Sequence, residues 1–81
     1  MLSDAEIYQV LTEIFNEVFR RDDMALTSEL AVEDLREWDS IRQIEIIMAM
    51  EERFGIRIDT HELDGFQNVG ALAALVRAKV P

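Results

Sequence analysis

The sequence predicts an all-α fold: a four-helix bundle with three long helices and one short helix. Three segments place apolar residues at spacings of three and four, which is the period of one helical face. The only proline is Pro81, so no proline interrupts a long helix. The chain has 81 residues, of which 49% are apolar, enough for one compact core. We therefore expect a single domain over residues 1–81.

The first and third long helices are predicted at Asp4–Phe19 and Val69–Val80. Ser3 and Glu6 have the spacing of a capping box before the first helix. Asn68 is a suitable N-cap for the third. The apolar faces are Ile7, Val10, Leu11, Ile14, Phe15 and Val18 in the first helix, and Val69, Leu72, Ala73, Val76 and Val80 in the third.

The second long helix is predicted from Ser40 to Phe54. Either Asp39 or Ser40 can cap its start. Gln43 stands three residues after Ser40, at the spacing of a capping box. Gly55 can end the helix because glycine readily takes the left-handed conformation.

Two connections join these helices, at residues 20–38 and 56–67. The first is long, and we expect its apolar residues, Leu26, Leu30, Leu35 and Trp38, to pin it to the core. The second contains Ile56 and Ile58, followed by one short helix that Asp59 can cap. A strand at Ile56–Asp59 is the alternative, but a lone strand makes no sheet.

The second helix has two apolar stripes where the edge of a small bundle needs one. The first stripe is Ile46, Ile47, Met50 and Phe54; the second is Ile41, Ile44 and Met48. Two interpretations stay open. Either the helix is central and buries both stripes, or the second stripe is a docking surface. The acids beside the second stripe, Glu45, Glu51 and Glu52, favour a position near solvent.

Charge and composition exclude several classes of protein. The 17 acidic and 8 basic residues give a net charge of −9, so we expect no nucleic-acid partner, whereas a basic protein surface suits the chain. High solubility alone would also explain this charge. We expect no membrane span and no secretion signal, which favours a cytoplasmic protein. The absence of cysteine excludes disulfides and thiolate metal sites.

His61 is the only histidine, and Asp59, Glu62 and Asp64 lie near it in the sequence. These residues are too few and badly ordered for an EF-hand calcium loop, so a solvated turn is favoured and no metal site is expected.

Ser40 lies where the long connection meets the second helix. A serine at this place is commonly only a cap. The start of a helix also offers unpaired N–H groups and partial positive charge, which favour a phosphate bound nearby. A phosphodiester on Ser40 would suit this position.

The residues around Ser40 resemble the acyl carrier protein family. The resemblance begins at Glu33-Asp34-Leu35-Arg36-Glu37-Trp38-Asp39-Ser40-Ile41 and continues through Ile44-Glu45-Ile46-Ile47-Met48-Ala49-Met50-Glu51-Glu52-Arg53-Phe54-Gly55-Ile56. Asp-Ser alone is a weak motif, but its place before this patterned helix in a short acidic chain is a strong one. The similarity extends over nearly the whole chain.

This resemblance implies a non-enzymatic carrier with 4′-phosphopantetheine attached covalently to Ser40. A phosphopantetheinyl transferase would load the arm, and Asp39 would help to orient that step. The arm's thiol would hold acyl or aminoacyl groups as thioesters in fatty-acid, polyketide or related synthesis. The acyl-loading and acyl-processing enzymes would bring basic surfaces to a monomeric carrier, and its contacts would be Ile41, Ile44, Glu45, Met48, Glu51 and Glu52.

Two residues depart from the family's pattern. Ile41 stands where leucine is common, and Arg42 stands where fatty-acid carriers often have an acid. These departures suggest a stand-alone carrier of a specialised pathway. Two other functions remain as alternatives: an unmodified acidic adaptor that binds a partner helix on the Ile41, Ile44 and Met48 stripe, and a small hydrolase that uses Ser40. No oxyanion loop or glycine-rich elbow supports the hydrolase.

Overall fold

The computed structural model describes residues 2–59 and 68–80, and in these ranges the fold is all-helical. Helix α1 is Asp4–Phe19, α2 is Ser40–Phe54 and α3 is Val69–Lys79, with a 3₁₀ turn at Val32–Asp34. The predicted bounds of α1 and α2 are confirmed. Helix α3 ends one residue before the predicted end, because Val80 has left the helical conformation and serves as the C-cap.

The caps explain where α1 begins and ends. The Ser3 hydroxyl accepts a hydrogen bond from the Glu6 backbone N–H, and the Glu6 carboxylate accepts one from the Ser3 N–H at 2.9 Å. Hydrogen bonding to Ser3 holds the pKa of the Glu6 carboxyl below its usual value. The bond from the Ser3 backbone N–H has the larger effect, and the Ser3 side chain has the smaller one. Arg20 ends the helix in the left-handed conformation, with φ of 56°. The predicted capping box is therefore confirmed.

The core lies where α1 packs against both α2 and α3. Each helix contributes one stripe, and the connections supply the remaining side chains. The buried residues are Ile7, Leu11, Ile14, Phe15, Trp38, Ile46, Ile47, Met50, Ile56, Ile58, Val69, Leu72, Ala73 and Val76. Val10, Val18, Phe54 and Val80 are only partly buried at its margin.

The long connection is attached to the start of α3. The backbone N–H of Val69 donates to the Leu30 carbonyl at 2.9 Å, and that of Gly70 donates to the Ser28 carbonyl at 3.1 Å. Asn68 is the N-cap, as predicted, and its side chain accepts from the Ala71 N–H at 2.8 Å. The connection thus satisfies N–H groups that the first turn of a helix leaves without partners.

Gly70 permits this close approach, because a larger residue would need the backbone to shift by a few tenths of an ångström. A Cβ at this position would lie 3.0 Å from the Ser28 carbonyl oxygen, which belongs to the backbone. Leu26, Leu30 and Leu35 pack against the core, as expected for a long connection that is internally supported.

The segment after α2 is described only as far as Asp59, and it does not form the strand that the sequence left as an alternative. Residues Ile56–Asp59 form no strand, but Ile56 and Ile58 are both buried. The short helix predicted after Asp59 falls outside the described residues. Within residues 2–59 and 68–80, no helix is long and apolar enough to cross a membrane.

Candidate functional site

Asp39, and not Ser40, caps helix α2. The Asp39 Oδ1 atom accepts a hydrogen bond from the Arg42 backbone N–H at 2.9 Å, and Asp39 has the extended backbone of an N-cap. Ser40 is the first helical residue, and its side chain is exposed. Among the described residues, no hydrogen bond involves the Ser40 hydroxyl. Capping therefore leaves this hydroxyl available.

The position of Ser40 fits a covalent phosphodiester. Its hydroxyl lies at the start of a 15-residue helix, where backbone N–H groups and the helix dipole favour a negative charge. The side chain is exposed, so a transferase can reach it.

Trp38 anchors the connection immediately before Ser40. Its side chain is 3% exposed and packs edge-to-face on Phe15, with ring centroids 5.1 Å apart. The indole Nε1–H donates to the Gln43 Oε1 atom at 2.6 Å. Trp38 therefore joins the residues before Ser40 to both α1 and α2, and its predicted packing role is confirmed.

Of the two caps that the sequence left open, Asp39 is the one present. Ser40 and Gln43 form no capping box despite their spacing, because the Gln43 side chain bonds to Trp38 instead. No sequence signal would have found this contact, since it depends on how the connection folds over the first turn of α2.

The second apolar stripe of α2 lies on the surface. Ile41 is 65% exposed, Ile44 is 53% exposed and Met48 is 62% exposed. The alternative in which α2 is central and buries both stripes is therefore wrong. An exposed apolar strip now starts next to Ser40 and runs along the helix.

The three acids beside this strip differ in their surroundings. Glu45 forms an ion pair with Arg42 at 2.7 Å, and both side chains are close to half exposed. Glu52 is exposed, and no cation among the described residues lies within ion-pair distance of it. Glu51 is partly buried, and its carboxylate accepts a hydrogen bond from the Ile58 backbone N–H at 2.9 Å. Glu51 thus supports the segment after α2, a role that the sequence did not reveal.

A shallow groove separates this part of α2 from the end of α1. Its volume is about 410 Å³, and charged side chains surround an apolar floor. The lining residues are Glu17, Val18, Arg20, Arg42, Glu45, Met48, Ala49 and Glu52. The described residues contain no group of three side chains able to hold a metal ion. His61, Glu62 and Asp64 lie outside those residues.

Comparison with known families decides which class of protein carries this site. Residues 9–76 match the family model described as the phosphopantetheine attachment site. The chain belongs to the acyl carrier protein family. The match contains most of α1, all of α2 and most of α3, so it includes Trp38, Asp39 and the helix on which Ser40 lies.

Individual acyl carrier proteins are similar over most of the chain. One from Acidothermus cellulolyticus is 36% identical over 69 residues, which cover 85% of this chain and 82% of the relative. A meromycolate extension acyl carrier protein from Mycolicibacterium aurum is 31% identical over 75 residues, covering 93% of this chain and 77% of that protein. The solution structure of holo acyl carrier protein from Geobacter metallireducens aligns with a TM-score of 0.83 and 37% identity, over 90% of this chain and 84% of that one.

Membership of the acyl carrier protein family decides between the functional alternatives. Acyl carrier proteins hold intermediates for other enzymes and are not catalysts, so the hydrolase interpretation of Ser40 is wrong. The family also supports a covalently attached 4′-phosphopantetheine over an unmodified adaptor. Synthetic enzymes and a transferase are the partners that this role implies.

Proposed function

We propose that this acyl carrier protein holds its cargo on a 4′-phosphopantetheine arm attached to Ser40. The single observation that carries this proposal is the exposed Ser40 hydroxyl at the start of α2, left available because Asp39 is the cap. Transfer of the arm from coenzyme A would join the Ser40 oxygen to phosphorus and release the nucleotide part of coenzyme A. The serine proton would go to a base of the transferase.

Asp39 supports this step in two ways. Its Oδ1 atom bonds the Arg42 N–H and so fixes the first turn of α2, on which Ser40 lies. Its side chain is exposed, so the carboxylate can also help to orient the transferase over Ser40. Both roles depend on the carboxylate being next to the modified residue.

The arm supplies chemistry that the chain itself lacks. The sequence contains no cysteine, so a thioester to the cargo requires the thiol at the end of the arm. Tethering also raises the cargo's effective concentration at a docked enzyme, into the millimolar range for a short flexible link. The carrier therefore positions the cargo while its partners carry out the reactions.

The face of α2 beside Ser40 is the proposed docking surface. It combines three exposed apolar side chains, Ile41, Ile44 and Met48, with the acids Glu45, Glu51 and Glu52. Partner enzymes with basic docking surfaces would match this charge. Within the set, Glu52 is the best contact, because Glu51 is engaged by the Ile58 N–H and Glu45 is paired with Arg42.

Further parts of the proposal concern setting and architecture. We place the carrier in the cytoplasm as a monomer, with residues 1–81 as one carrier domain and a short fourth helix after Asp59. Arg42, which is paired with Glu45, stands where fatty-acid carriers often have an acid. This departure favours a specialised pathway, such as polyketide, peptide or modified-lipid synthesis, over the housekeeping fatty-acid one.

Intact mass measurement tests the attachment site. The wild-type protein, incubated with coenzyme A, magnesium and a phosphopantetheinyl transferase, should gain the mass of one phosphopantetheine. Ser40→Ala should gain none, while Ser28→Ala, a change at another exposed serine, should load like the wild type. Loading of Ser40→Ala, or a wild type that stays unmodified when a control carrier is loaded, would contradict the proposal.

A further inference from the structure

The side chain of Gln43 has one satisfied end and one unsatisfied end. Its Oε1 atom accepts the hydrogen bond from Trp38 Nε1–H at 2.6 Å. An indole N–H can only donate, so the amide must turn its oxygen toward Trp38. This fixes the orientation of the amide and directs the Nε2 group away from the indole.

The Nε2 group of Gln43 is buried, and no acceptor within residues 2–59 and 68–80 bonds to it. Buried donors in folded proteins nearly always have partners, because a donor removed from water without an acceptor destabilises the structure. The Nε2 group of Gln43 therefore has two N–H donors for an acceptor that residues 2–59 and 68–80 do not supply.

The location of Gln43 indicates the source of that acceptor. It lies three residues after Ser40, so the two residues share one side of α2 and are separated by about 4.5 Å along the helix axis. An arm that leaves Ser40 and lies back along the first turn of α2 passes this position. The first amide carbonyl of phosphopantetheine, which follows shortly after the phosphate, is a hydrogen-bond acceptor of suitable reach.

We infer that Gln43 Nε2 donates a hydrogen bond to the first amide carbonyl of the arm and so holds the arm against the Trp38 side of α2. The inference rests on the proposed attachment at Ser40. Gln43 acts here as a positioning residue: Trp38 fixes its oxygen, and the arm takes its nitrogen. Because Nε2 is covered in the unmodified protein, its cover must shift locally before the arm can bind.

Nuclear magnetic resonance of the loaded protein tests this contact directly. Protein labelled with ¹⁵N is loaded with an unlabelled arm, and loading is verified by intact mass. The Gln43 side-chain amide protons should show nuclear Overhauser effects to arm protons and should shift between the unloaded and loaded forms. The exposed Gln9 side chain on α1 is the internal control and should show neither.

A matched pair of variants tests the Nε2 contact with the arm separately from the Oε1 contact with Trp38. Gln43→Glu keeps an oxygen for Trp38 but has no N–H, so the Trp38 indole signal should persist while the arm signals move to those of free phosphopantetheine. Gln9→Glu makes the same charge change far from the arm and should leave the arm signals unchanged.

The results distinguish this inference from the proposed function. A loaded wild type without effects between Gln43 and the arm, and with arm signals already at the free positions, would overturn the contact but leave attachment at Ser40 intact. A wild type that fails to load would overturn both. If Gln43→Glu does not fold, the wild-type measurement decides alone.

Discussion

Helix α2 carries two apolar stripes of similar composition, of which one is buried and the other is exposed. The inner stripe is Ile46, Ile47 and Met50, and its residues are at most 5% exposed. The outer stripe is Ile41, Ile44 and Met48, and its residues are 53–65% exposed. Isoleucine and methionine occur in both, so residue type does not decide which stripe is buried. The packing of α1 does, because it covers only one side of α2.

This contrast indicates that the outer stripe contributes little to the core. Single apolar side chains on a surface are common, but a contiguous strip beside a candidate modification site marks a place where another molecule binds. The inner stripe stabilises the carrier, and the outer stripe lies on the surface that we propose for docking. Measurements of stability and of association can test these two roles separately.

Truncation of the two stripes should give the largest difference. Ile46→Ala or Met50→Ala should lower the free energy of unfolding by about 2–5 kcal/mol, because each leaves a cavity in the core. Ile44→Ala and Met48→Ala should change it by no more than about 0.5 kcal/mol, as exposed substitutions usually do. Urea denaturation of the four variants measures all of these values.

The pairs of variants are matched in chemistry, since each contains one isoleucine and one methionine on the same helix. Similar destabilisation by Ile44→Ala and Ile46→Ala would show that the outer stripe belongs to the core. The proposed docking surface would then be wrong, whereas the assignment of Ser40 would stand because it rests on the start of α2.

The limits of the sequence analysis follow from the range of the interactions involved. The helix bounds were predictable because caps act within a few residues: Ser3 with Glu6, Asn68 with Ala71, and Gly55 after α2. Apolar periodicity also revealed two stripes on α2. It left open which stripe was buried, and only the neighbouring glutamates favoured the correct choice.

Contacts between distant parts of the chain were not predictable. The Gly70 N–H meets the Ser28 carbonyl only after the long connection has folded over α3. Similarly, Glu51 accepts from the Ile58 N–H once the segment after α2 has turned back. Glu51 looked like a docking acid because an exposed acid and a supporting acid have the same local pattern. Glu51 and Glu52 are therefore adjacent acids with different roles: Glu51 supports the fold, and Glu52 is exposed on the surface of α2.

Alanine substitution should separate these two acids. Glu51→Ala should lower the free energy of unfolding by about 1 kcal/mol, because the partly buried Ile58 N–H loses its acceptor. Glu52→Ala should stay within about 0.5 kcal/mol, since Glu52 is exposed. Equal values from thermal or urea unfolding would show that the bond from Ile58 contributes little.

Charge reversal tests the acids of the outer face in association. Glu52→Lys should slow binding to a basic partner several-fold, mostly through the association rate, because long-range attraction steers the encounter. Glu45→Lys should do the same and should also release Arg42 from its ion pair. Stopped-flow measurements with the phosphopantetheinyl transferase as partner give these rates. Glu29→Lys, at an exposed acid on the long connection away from α2, is a control for charge alone, and an equal effect there would remove the assignment of a specific face.

The smallest expected effect is that of salt on the carrier's own stability. A net charge of −9 creates repulsion in the folded state, and salt screens exposed charges over about 8–10 Å. The surface ion pairs, such as Arg42 with Glu45 and Arg21 with Asp23, are also screened, but exposed pairs contribute little. Relief of repulsion should therefore prevail, so the melting temperature should rise by about 2–4 °C from low to moderate ionic strength if roughly 0.5 kcal/mol is gained.

The same measurement on Glu52→Gln connects salt dependence with the outer face of α2. This variant removes one exposed negative charge with little change in the shape of the side chain. It should therefore melt slightly higher at low salt and gain less from added salt. Calorimetry in sodium chloride at fixed pH provides both curves. A wild-type melting temperature that stays constant or falls would mean that self-repulsion is negligible. In that case the acids along the outer stripe would not measurably lower the stability of the fold. Their position beside the stripe would then be no evidence that stability is reduced in favour of docking.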